Sequence, residues 1–82
     1  MQWQEKFYVF AERFDRAQWV RNIVTQPRVT VRMGARRFAA LASVLDRNRD
    51  AAEWRTVQQL ARDKYGWGDG LPVRITPDEA VV

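Results

Sequence analysis

The stretch RVTVRMGARRFAALASVL, residues 28–45, constrains the fold more than any other part of the chain. Val29, Val31 and Met33 alternate with Arg28, Thr30 and Arg32, the period of a half-buried strand whose side chains point to opposite faces in turn. Gly34 and Ala35 then fit a two-residue hairpin turn with glycine in its first central position. Such a turn fixes the register. Val31 must oppose Phe38 and Val29 must oppose Ala40, facing inward together with Ala42 and Val44, while Arg32 meets Arg37 on the outer face, where like charges are mildly destabilising.

The elements around this hairpin follow from shorter signals. KFYVFA, residues 6–11, is aromatic and β-branched in character and reads as a strand, with Phe7, Val9 and Ala11 on one face and Tyr8 and Phe10 on the other. A helix is expected over 16–25, capped by Asp15, with Gln18 completing a capping box and Phe14 and Trp19 forming a hydrophobic staple. Its apolar stripe is Trp19, Val20, Ile23 and Val24, and Pro27 ends it by pushing Gln26 out of helical geometry. A second helix starts between Asp46 and Asp50, with Asp50 and Glu53 as a capping box, buries Trp54, Val57, Leu60, Ala61 and Tyr65, and stops at Gly66. The glycine-containing loop GWGDGLP leads into a short strand at 72–76, and residues 78–82 read as a flexible tail. The expectation is one α+β domain over 1–77, in the order β-α-β-β-α-β with an antiparallel sheet; four strands cannot close a barrel easily.

Composition removes whole classes of chemistry. The chain has 82 residues with neither Cys nor His, so disulfides, thiolate catalysis, Ser-His-Asp triads and nearly every zinc site are excluded, and no metal site is expected. No apolar run approaches the roughly 18 residues of a membrane span, and MQWQEKFYVF is not a signal peptide, so a cytoplasmic location is expected. The net charge of +4 favours anionic partners. The arginines are scattered between acidic residues, however, and ARR at 35–37 contains the one adjacent basic pair, which argues against a nucleic-acid stripe. A small basic nucleic-acid binder, stacking bases on KFYVF, stays open as a minor alternative.

Trp19 and Asn22 lie three residues apart, side by side on a helix, and an asparagine there is either a surface residue or part of a site. Together with Ile23, Pro27 and VTV at 29–31, all within YVFAERFDRAQWVRNIVTQPRVTVRMGARRFAALASVL, they resemble the deazaflavin-dependent nitroreductase and quinone reductase family, whose fold is the FMN-binding split β-barrel. The later helix and LPVRITP also resemble the family ending.

The resemblance implies a partial split β-barrel, lacking two N-terminal strands and their basic glycine-containing loop. It implies hydride transfer from reduced deazaflavin, coenzyme F420, to a nitro or quinone acceptor, with flavin mononucleotide (FMN) as a lesser alternative cofactor. The cofactor carries that chemistry, so no catalytic side chain is assigned. Ala11, Arg13, Trp19 and Asn22 are the implied cofactor contacts; Tyr65 and Trp67, the aromatic flank of the glycine loop, are either the lining of a substrate mouth or residues of packing or an interface. A homodimer is expected, because an incomplete barrel leaves a sheet edge and apolar residues such as Phe10, Leu41 and Leu45 uncovered. The alternative to an enzyme is a non-catalytic remnant of the same fold, serving dimerisation or interaction, with Trp19 as plain core.

Overall fold

In the computed structural model, which describes residues 1–78, seven regular elements run in the order β-β-α-β-β-α-β. They are β1 (Gln2–Trp3), β2 (Lys6–Ala11), α1 (Gln18–Thr25), β3 (Arg28–Met33), β4 (Arg36–Val44), α2 (Ala51–Tyr65) and β5 (Leu71–Pro77), with a 3₁₀ turn over Phe14–Arg16. The strands form one antiparallel sheet in the order β1-β2-β5-β4-β3, an α+β arrangement that fits part of a split β-barrel.

The hairpin of β3 and β4 has the register that its turn dictates. Val31 pairs with Phe38, Val29 with Ala40 and Arg32 with Arg37. Gly34 has φ 61 whereas Ala35 keeps a negative φ, which is the pattern of a turn whose first central residue alone is left-handed. Arg32 and Arg37 are both exposed and, among the described residues, neither has an ion-pair partner.

One strand more is present than the sequence pattern predicts. Trp3 pairs with Lys6 and Gln2 with Phe7, so β1 and β2 are joined by a two-residue turn of Gln4 and Glu5, with φ 51 and 62. Left-handed geometry at both central positions is usually marked by Asn-Gly or Asp-Gly; Gln-Glu gives no such signal. At the other end, Asp78 is tied down by its N–H to the Ala39 carbonyl and by an ion pair with Arg28 at 2.6 Å. The rest of the expected tail, 79–82, lies outside the described residues.

The start of α1 differs from expectation. Phe14 is left-handed, with φ 54, and sits in the 3₁₀ turn, so the helix begins at Gln18 with Ala17 as its N-cap and no side-chain cap bond. Phe14 and Trp19 therefore do not occupy the positions of a staple, and the side chain of Asp15 lies outside those described. Val20 is the buried residue of α1, Ile23 is half-buried, and Val24, expected inward, is 72% exposed.

In α2, Trp54, Val57 and Ala61 are buried as the pattern requires, but Leu60 and Tyr65 are exposed, because the helix touches the sheet along a narrower stripe than its apolar residues span. Asp50 is the N-cap without a side-chain cap bond; its Oδ2 instead accepts from the Asp46 N–H, and Glu53 is engaged with the sheet. Gly66 closes the helix in the left-handed conformation, with its N–H on the Arg62 carbonyl. Tyr8, Ala11, Val20, Leu45, Trp54, Val57 and Leu71 form the core cluster. Leu45, expected on an uncovered patch, is thus buried: just past the end of β4 its N–H still bonds to the Pro72 carbonyl of β5, and its side chain joins the core cluster with Trp54 and Val57.

Candidate functional site

The short helix α1 carries a tryptophan that the core does not need. Trp19 is 40% exposed, while Val20 beside it supplies the buried contact. An indole that is neither buried nor satisfied by a core leaves a flat apolar surface open to a ligand or partner. Asn22 is exposed one turn on, and its Oδ1 accepts a hydrogen bond from Gln18 Nε2 at 3.1 Å, which holds the amide against the helix surface. Arg13 is exposed at the head of the 3₁₀ turn. Trp19 and Asn22 thus share one exposed helix turn, and Arg13 is exposed in the segment before it.

Ala11 is placed differently. It is buried at the end of β2, where it pairs with Leu71, and its carbonyl oxygen is so close to Gly70 that a Cβ there would lie 2.8 Å away. Its contribution to a ligand site is therefore one of backbone position. Trp67 packs edge-on against Phe10, with ring centroids 6.2 Å apart, and also borders Gly70. Tyr65 is 58% exposed, with the Lys64 ammonium 5.4 Å from its ring. These two aromatics flank the loop closed by the ion pair of Arg62 and Asp69 at 2.6 Å.

A second constellation joins residues far apart in the chain. The Arg47 guanidinium lies 5.8 Å from the centre of the Phe14 ring and 4.9 Å from that of Trp54. A groove of about 400 Å³ opens there, with Val44, Leu45 and Leu71 on its walls and Asp46 and Asn48 at its rim. The Asp46 Oδ1 accepts the N–H groups of Asn48 and Arg49 at 2.8 and 2.9 Å, and these bonds hold its carboxyl below the usual range. No local pattern in the sequence announces this groove, because it depends on the 3₁₀ turn meeting the loop that enters α2.

Beneath α2 lies a hydrogen-bonded chain of side chains. The Tyr8 hydroxyl donates to Glu53 Oε2 at 2.6 Å, Arg74 Nη1 donates to Glu53 Oε1 at 2.7 Å, and Arg74 Nη2 reaches Ser43 Oγ at 3.5 Å. Burial and then the bond to the Glu53 carboxylate push the Tyr8 hydroxyl far above its ordinary value. Tyr8, Arg74 and Ser43 pair across β2, β5 and β4, so Glu53 fastens α2 directly to β2 and β5 and, through Arg74, to β4. This is a positioning network, with Tyr8 too buried to meet a ligand.

Comparison with known proteins adds one finding. A family model described as F420H(2)-dependent quinone reductase matches residues 1–77. No curated protein and no solved structure gives a match.

Proposed function

The chain belongs to the F420H(2)-dependent quinone reductase family, and from that premise we propose that it binds coenzyme F420 on the surface around α1 and serves hydride transfer to a quinone. The observation that carries the placement is the exposure of Trp19, with Asn22 exposed on the same turn of α1 and Arg13 exposed in the segment that leads into it. When bound, the reduced deazaflavin supplies the hydride. Trp19 offers a face for the ring system, Asn22 a hydrogen-bonding amide to orient it, and Arg13 a charge for its anionic oxygens. Ala11 sets the backbone from which the 11–17 segment departs. FMN is the lesser candidate, and nitro compounds are a further acceptor class for the same reaction. A homodimer belongs to this reading, supported by the open edge at β3 and by the exposure of Met33 and Leu41.

The test is a titration of the purified chain with oxidised F420, read by tryptophan fluorescence. Saturable quenching is expected, reduced in Trp19→Phe. Asn22→Ala is expected to weaken binding without lowering the melting temperature, by roughly 0.5 to 1.5 kcal/mol if one hydrogen bond is lost. Unchanged affinity in Asn22→Ala together with a sharply lowered melting temperature in Trp19→Phe would make both residues structural. No saturable signal with either F420 or FMN would favour a non-catalytic remnant.

A further inference from the structure

The open edge of the sheet carries a pattern that selects its occupant, and we propose that β3 takes up an acidic, extended peptide segment of another protein as a sixth, antiparallel strand. The proposal goes beyond the cofactor reading and does not depend on it, because none of the residues assigned to F420 lies on β3. β3 is the outermost strand and pairs with β4 alone. Which backbone groups it offers follows from the register. The Ala42 N–H donates to the Pro27 carbonyl at 2.7 Å, so the hydrogen-bonded positions of the hairpin are Pro27, Val29, Val31 and Met33, and alternation turns the N–H and C=O groups of Arg28, Thr30 and Arg32 to the open edge. An added strand therefore bonds to three residues whose side chains all lie on the outer face.

Charge decides what such a strand carries. Arg28, Arg32 and Arg37 share the outer face, and Arg32 and Arg37 form a non-hydrogen-bonded pair, the kind in which opposed side chains come closest. Asp78 pairs with Arg28 at 2.6 Å, whereas among the described residues no carboxylate pairs with Arg32 or Arg37. A carboxylate opposite Arg32 relieves that repulsion and forms a charge-assisted hydrogen bond. On the inner face Val29 and Val31 are half-buried and Met33 is exposed, beside a hollow of about 440 Å³ that Phe7 and Phe38 also line. Apolar side chains between the acidic ones cover this surface, so the segment that fits alternates acidic and apolar residues.

A second copy of the chain is the rival occupant of this edge. Two β3 strands paired about a twofold axis at Thr30 set Arg28 of each chain against Arg32 of the other, on the face where an acidic strand brings opposite charge. Pairing of two copies at the edge therefore gives way to the peptide.

The test is a titration of the full chain with an acetylated, amidated octapeptide of alternating Glu and Val, followed by calorimetry and by backbone amide resonances. Saturable binding of one peptide per chain is expected, with the largest shifts and slowed hydrogen exchange at Arg28, Thr30 and Arg32. Arg32→Glu should weaken it about tenfold, the equivalent of one hydrogen bond, without lowering the melting temperature, since the new carboxylate faces Arg37. Two methylated peptides probe the backbone with the protein unaltered. Methyl groups on the Glu amides, which face β3, should abolish binding, while methyl groups on the Val amides, which point away, should spare it. A peptide with its Glu and Val residues in two separate blocks should bind more weakly. Equal affinity in Arg32→Glu, equal affinity of the Glu-methylated peptide, equal or tighter binding of the block peptide, shifts centred outside β3, a dimer that the peptide does not displace from this edge, or no saturation would each overturn the proposal.

Discussion

Glu53 shows how one carboxylate can be claimed by two roles. Its position three residues after Asp50 spells a capping box in the sequence, yet in the folded chain it accepts from Tyr8 and Arg74 and leaves the helix start to backbone and loop contacts. The helix cap is legible as a position but not as an interaction, because a buried tyrosine and an arginine from distant strands outcompete a local backbone N–H. Tyr8→Phe should cost about 1–3 kcal/mol by leaving a partly buried acceptor short of its donor, measured by urea denaturation. The pH dependence has a definite sign. Tyr8 loses its proton near pH 10 when unfolded but holds it to higher pH when folded, so its contribution is fully present below that value and declines as the pH rises above it. Wild type should therefore lose melting temperature above pH 10, and Tyr8→Phe should lose less over the same interval.

Elements are legible in proportion to how local their signals are. The β3–β4 hairpin is readable to the residue, since alternation and a glycine turn together determine its register. The β1–β2 hairpin is not, because Gln4 and Glu5 adopt left-handed geometry without the residues that favour it. That hairpin can consequently be improved. Replacing Gln4-Glu5 with Asn-Gly should raise stability by about 1 kcal/mol or more, as relief from two disfavoured conformations, and should shift the thermal midpoint upward without changing the fold. In α1, periodicity finds the helix but misjudges its face: the stripe it suggests contains Trp19 and Val24, both largely outside the core. Amphipathic patterns report apolar residues, whether the partner is the protein's own sheet or something else.

For the whole molecule, the sheet explains both the proposed association and what sequence reasoning does not reach. Its open edge and the 43% exposure of Leu41 lead to the expectation of a dimer, which sedimentation velocity at micromolar concentration would reveal and Leu41→Lys should shift toward monomer. Trp19 and Asn22 stand out along the chain because they share one helix turn, whereas the groove of Phe14, Arg47 and Trp54 is assembled from three segments and has no signature in any one of them. The strand order carries a further consequence for how the protein is made. Among the described strands β5 is synthesised after the others yet lies between β2 and β4, so the two hairpins remain unjoined on the ribosome, with their inner edges bare, until β5 emerges. Nascent chains stalled before Leu71 would then be protease-sensitive and prone to strand-to-strand association, while release of the completed chain would bring protection to both hairpins together.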